Sequence, residues 1–168
     1  MAALSADVIR NVAENLPITV PYPIANGVQI YVGSFCDIVS GVAQPHTTGH
    51  TIQGLAIGPG VPGNDPNMDG FATPPASAIA PGNNTAPRNQ VVINEGEVTL
   101  LNVATITSAA GAQTDVGTLV YLSDDNLITT VQPGSDKPLG EISAWNPVGA
   151  TNYWNVKCYR FAARTLTT

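Results

Sequence analysis

Gly27-Val28-Gln29-Ile30-Tyr31-Val32 returns later in the chain as Gly117-Thr118-Leu119-Val120-Tyr121-Leu122. Each copy is a glycine followed by a short β-rich run. An apolar stretch follows each copy, at Ile38-Val39 and at Leu127-Ile128, and then a Gln-Pro pair, Gln44-Pro45 and Gln132-Pro133. Each closes on a glycine-bearing segment, Ile52-Gln53-Gly54-Leu55 and Leu139-Gly140-Glu141-Ile142. Short runs rich in Val, Ile, Thr and Tyr, punctuated by turn residues, are the pattern of strands rather than helices. Two such units in one chain predict an all-β fold, a compact barrel or sandwich-like domain.

Working outward, the first unit predicts strands near 28–32, 35–39 and 52–57, with turns at Gly33-Ser34 and over 46–50. The second predicts a hairpin, 118–123 with 127–131, turned by Asp124-Asp125-Asn126. Between the units, Val91–Val103 reads as strand interrupted by a bulge or turn at Glu95-Gly96. The last strand alternates from Tyr153 to Phe161. Its Trp154, Val156 and Cys158 face is expected inward, with Tyr153, Asn155, Lys157, Tyr159 and Phe161 on the other face.

Two segments fall outside the units. Residues 1–26 read as an arm. Apolar residues at 8, 9, 12, 13 and 16 have helical spacing, with Ser5 as a cap and Pro17 as a stop. An extended form is the alternative, because so short a helix is marginal in isolation. Pro17, Pro21 and Pro23 then remove ladder donors, which suits an edge strand or extended arm over 16–24. Residues 59–90 hold seven of the fourteen prolines and no periodic pattern. They read as a long loop projecting from a β domain that spans 27–168.

At 168 residues the chain is long enough for one real core. Twelve acidic residues stand against six basic ones, for a net charge of −6. No stretch concentrates Lys or Arg, so a phosphate-neutralising nucleic-acid surface is not expected. Few charges and a positive mean hydropathy favour a surface that is covered in an assembly over one that is merely polar. Cys36 and Cys158 lack CxxC spacing, and two buried free thiols are favoured over a disulfide. Met1–Leu16 has no basic start followed by an apolar run, and no apolar stretch approaches the ~20 residues of a membrane helix. A chain made in the cytoplasm and soluble until it assembles is expected.

Chemistry-bearing patterns are few. Asp65, Asn67 and Asp69, before Gly70, match the opening of a calcium loop, whose oxygen ligands alternate before a glycine turn. The twelfth position is Ala76 where a bidentate glutamate is needed, so a polar turn explains the run better and no metal is expected. His46 and His50 are four apart, but Pro45 and Gly49 argue against a helix, and exposed loop histidines are expected. Asp124 and Asp125 are expected to diverge into water at a hairpin tip. Asn83-Asn84-Thr85 fits a glycosylation acceptor, expected to be silent without a secretory signal. Tyr22, Tyr31, Tyr121, Trp145, Tyr153, Trp154 and Tyr159 could form a sugar platform, though aromatics more often fill a β core or an interface. No nucleophile elbow or phosphate-cradling glycine loop is present. Catalysis and cofactors are therefore not expected.

Across 27–57 and 91–162 the arrangement resembles the small capsid cement, or head decoration, proteins of tailed bacteriophages. The resemblance rests on a glycine before a strand like Val28–Val32 and on an apolar strand with a glycine, Gln53-Gly54-Leu55-Ala56-Ile57. It rests also on the small residues Ala109–Gly111 leading to Gly117-Thr118-Leu119-Val120-Tyr121, an acidic and amide turn, and then Leu139-Gly140-Glu141-Ile142. It implies a non-enzymatic protein on the outer surface of the virion, often a trimer at local three-fold positions. Its partner would be the major capsid protein of the phage head, whose expanded lattice it would stabilise. Residues 1–26 and 59–90 depart from the smaller members. Val8, Ile9, Val12, Leu16, Ile18 and Tyr22 of the arm, with Met68 and Phe71 of the loop, are the expected capsid contacts. A host-surface or glycan-binding adhesion module is the alternative reading.

Overall fold

The computed structural model describes residues 11–16, 18–25, 28–59, 90–159 and 161. They form an all-β domain of two antiparallel sheets. The strands are β1 (Asn11–Leu16), β2 (Thr19–Pro23), β3 (Phe35–Val39), β4 (Val42–Pro45), β5 (Ile52–Pro59), β6 (Gln90–Asn94), β7 (Glu97–Val103), β8 (Leu119–Leu122), β9 (Ile128–Thr129), β10 (Gly140–Val148) and β11 (Thr151–Cys158). One sheet has the order β2-β6-β5-β3-β4 and the other β1-β7-β11-β10-β8-β9. The first unit supplies β3, β4 and β5 to one sheet. The second supplies β8 to β11 to the other.

The five-stranded sheet curls on itself. Just beyond β2, Ile24 bridges Ala43 of β4, and the Ala25 amide donates to the Ala43 carbonyl at 2.9 Å. This sheet is therefore buried on both faces, and its strands serve two cores by alternation, with a bulge at Gln53 in β5 bringing Ile52 and Leu55 to the same face. Cys36, Ala56, Val91 and Ile93 point into the curl with Ile24, Ile30 and Ala43. Phe35, Ile52 and Leu55 point the other way. There they meet Val98, Leu100, Val120, Leu122, Ile142, Trp154, Val156 and Cys158 of the six-stranded sheet.

The inward face expected for the last strand is present: Trp154, Val156 and Cys158 are all buried. Phe161 is not on the outer face. β11 ends at Cys158, the two-residue period lapses, and the Phe161 ring packs 6.3 Å from that of Phe35. Both cysteines are free and buried.

One expectation for the first unit fails, and one strand was not expected. Residues 28–32 form no regular strand, although Ile30 is fully buried in the curl. β4 arises instead from a tight hairpin with Val39 opposite Val42. Ser40 and Gly41 both take positive φ, 53° and 81°, which is the I′ geometry that matches strand twist. The glycines that end each unit have a shared structural reason. A Cβ on Gly54 would lie 2.3 Å from the Asn94 carbonyl oxygen of β6, and one on Gly140 would lie 2.1 Å from that of Lys157 in β11.

Residues 11–24 are not a detachable arm. The described part of the expected helix, 11–16, is strand β1, paired antiparallel with β7, and β2 pairs antiparallel with β6. The prolines of β2 are accommodated because it is a terminal strand of its sheet's order. Tertiary pairing has overridden the helical spacing, as it can in so short a segment. Both chain segments change sheets together. The Glu95 amide donates to the Ile18 carbonyl at 2.7 Å, while Asn94 Oδ1 accepts the Ile18 and Gly96 amides at 3.3 and 2.9 Å. The turn expected at Glu95-Gly96 is this crossover.

Candidate functional site

The polar junction between the two units is built from the loop after β4 and the loops flanking β9. β3 carries Asp37 two residues past Phe35, and β4 delivers His46 back beside it. Both side chains are fully buried, and His46 Nδ1 donates to Asp37 Oδ1 at 2.6 Å. Asp37 Oδ2 also accepts the Thr47 amide at 3.1 Å and lies 3.3 Å from His50 Nδ1. From the second unit, Asp136 Oδ1 accepts the Gly49 amide at 2.7 Å. Its Oδ2 stands 4.0 Å from His46 Nε2. Those two facing atoms are buried without a hydrogen-bond partner. Thr48 Oγ1 donates to the Ser123 carbonyl, and the Phe35 amide donates to the Asp125 carbonyl at 2.8 Å.

Beside this junction a cleft is lined by Gly49, His50, Thr51, Ile52, Ser135, Asp136 and Lys137. Its volume is about 90 Å³, well below the ~300 Å³ at which small-molecule pockets begin. Among the described residues no three His, Cys, Asp or Glu side chains gather in a way that could hold a metal ion.

Two further buried carboxylates are structural. Glu95, at the sheet crossover, accepts the Tyr22 hydroxyl and, at 2.8 Å, the Gln53 amide. Burial first, then the hydrogen bond and charge of Glu95, push the Tyr22 phenol up to about 12. Asp115 ends a single 3-10 turn, Gln113–Asp115. It gathers the Ala110, Gly111 and Ala112 amides at 2.8 to 3.1 Å and the Trp154 indole N–H at 3.1 Å. Burial alone would raise its carboxyl. The four donors outweigh that and hold it below the ordinary value. Burial pushes the Cys36 thiol far up; a hydrogen bond with the Ser34 side chain opposes this, and the charges of Asp37 and Asp125 add to it. The Cys36 thiol is therefore not placed for chemistry as a thiolate.

Several expectations change. His46 is buried, not an exposed loop residue; His50 is the exposed one of the pair. Asp125 is buried rather than diverging into water, and Asp124 caps its own turn by accepting the Asn126 and Leu127 amides. Among the capsid-contact candidates, Val12 packs on the inter-sheet core, Tyr22 packs on the curl's core, and Ile18 is tied to the crossover. Leu16 lies in β1 opposite Glu97. Val8, Ile9, Asp65, Asn67, Met68, Asp69, Phe71 and Asn83–Thr85 lie outside the described residues. Of the candidate sugar platform, Trp154 is in the core and Trp145 packs against it, donating to Asn152 at 3.1 Å.

The residues that sequence reasoning missed are Asp37 and Asp136. Asp37 stands among apolar residues of a strand, Phe35-Cys36-Asp37-Ile38-Val39. A charge in a run buried on both faces demands a partner, and that was the available signal. These features define an all-β protein in which, among the described residues, five carboxylates are buried. No protein-family model, curated protein or solved structure matches the chain. Among the described residues no helix is long and apolar enough to cross a membrane.

Proposed function

We propose that this chain is a structural protein that covers the outer surface of an icosahedral phage head and stabilises the expanded lattice. One observation carries the reading. Among the described residues five carboxylates, Asp37, Glu95, Asp115, Asp125 and Asp136, are buried. Their burial takes five charges off the outward face of the described domain. Large apolar side chains remain exposed on the second unit, Val131 at 60 % and Val148 at 65 %. A surface low in charge with protruding apolar residues is suited to being covered. A ligand that binds only the expanded shell stabilises that shell by mass action, and many weak sites on one particle supply avidity. The chain does this without catalysing a reaction, as a trimer.

The test is cosedimentation of the purified protein with heads that lack it, comparing expanded and unexpanded shells. Saturable binding to expanded shells alone, at a fixed ratio to the major capsid subunit, is expected. Equal binding to both shells, or to neither, overturns the reading. Sedimentation equilibrium of the free protein tests the trimer.

A further inference from the structure

The Asp37–His46–Asp136 triad joins the two units, and its hydrogen bonding restricts the imidazole. Asp37 is a carboxylate held at 2.6 Å from Nδ1, so Nδ1 carries a proton. A neutral His46 then presents a bare Nε2 to Asp136 Oδ2. That sets two acceptors 4.0 Å apart in a buried place where neither has another hydrogen-bond partner. Only the imidazolium supplies a donor to each carboxylate. We propose that His46, as an imidazolium clamped between Asp37 and Asp136, is a proton-operated latch holding the 46–50 loop of the first unit against the 133–137 loop of the second.

The consequence follows from how Asp136 is shared. Its Oδ1 holds the Gly49 amide at 2.7 Å. Loss of the Nε2 proton leaves the Asp136 charge buried and facing a lone pair, which is strongly unfavourable. Relief comes by moving the 133–137 loop outward, which surrenders the Gly49 bond. Latch and loop thus open together when the Nε2 proton is lost. The other ionisable groups at the junction are His50, 3.3 Å from Asp37, and Lys137, beside Asp136 in the cleft. Asp125, on the β8–β9 turn, acts on the neighbouring Cys36.

The experiment uses the full chain and its two histidines, which site-specific assignment separates. The ring nitrogen shifts of His46 and the exchange protection of the Gly49 amide are followed from about pH 5 to about pH 9. Expected are two protonated ring nitrogens at the acid end and loss of the Nε2 proton at the alkaline end. A drop of at least tenfold in Gly49 protection, corrected for intrinsic exchange, accompanies that loss. His50→Gln keeps the step. Asp136→Asn abolishes it, because the amide side chain donates to a neutral Nε2 at any pH. A His46 that stays singly protonated throughout overturns the proposal. So does one that never loses the Nε2 proton, or Gly49 protection that stays level while it does.

Discussion

The indole N–H of Trp154 donates to Asp115 at 3.1 Å, tying the middle of β11 to the 3-10 turn before β8. The same carboxylate gathers the three amides of Ala110-Gly111-Ala112. One charge thus organises a loop of small residues that has no side chains able to organise itself.

Asp115→Ala should therefore destabilise the protein by about 2–3 kcal/mol, the scale of lost hydrogen bonds to a charged group. Urea unfolding at neutral pH checks this. The folded carboxyl is held below its ordinary value, so its contribution is present above the unfolded-state pKa of ~3.9 and is lost as pH falls below it. Asp115→Asn should accordingly flatten the acid limb of the stability curve.

Gly140→Ala should destabilise by about 1–3 kcal/mol, the usual range for overpacking, because the added methyl meets the Lys157 carbonyl oxygen of the backbone. Gly49→Ala is the control: nothing lies within 4 Å of the added carbon, and only the positive φ of 93° resists it. Thermal unfolding of the pair separates steric clash from backbone strain.

Tyr22→Phe should cost about 1–2 kcal/mol, by removing one of the two donors to the buried Glu95 carboxylate. In the native protein Tyr22 should ionise only near 12 in a spectrophotometric titration. Because its folded value is raised, the stability it adds is present below ~10 and fades as pH climbs through the folded value. The Phe variant should lack that alkaline step.

Deleting residues 1–26 should abolish cooperative unfolding rather than leave a folded domain. The deletion strips β1 and β2 from the two sheets and removes Ile24, which is fully buried. Circular dichroism with a thermal scan decides it. A sharp transition in the truncated chain would return 1–26 to the status of an arm.

Val148→Asp should leave the unfolding midpoint unchanged, because the side chain is 65 % exposed at the β10–β11 hairpin. If the covered surface includes this hairpin, binding to expanded shells should weaken at least tenfold, about 1.4 kcal/mol. Unchanged binding would exclude this hairpin from the contact.

The all-β class, the hairpin at Asp124-Asp125-Asn126, a break in the strand at Glu95-Gly96, and the inward Trp154, Val156 and Cys158 were legible in the chain. Each is a local pattern, a two-residue alternation or a turn composition. β4 was also within reach, since Ser40-Gly41 between apolar residues is a hairpin signal. The buried His46 was not legible from its flanking Pro45 and Gly49. Its environment comes from Asp37 nine positions back and Asp136 ninety positions on.

Strand against helix over most of the chain, the positions of the turns and the apolar side of β11 follow from residue order, because backbone alternation and turn chemistry act over a few residues. That 11–16 is a strand, that 28–32 is not, and that Asp37, Glu95, Asp115, Asp125 and Asp136 lie inside was settled by packing in three dimensions. Those outcomes depend on partners distant in sequence: β7 for β1, β6 for Gly54, and a histidine across the sheet junction for Asp136. A buried charge is stable only where such a partner meets it, and three-dimensional packing alone brings the partner there.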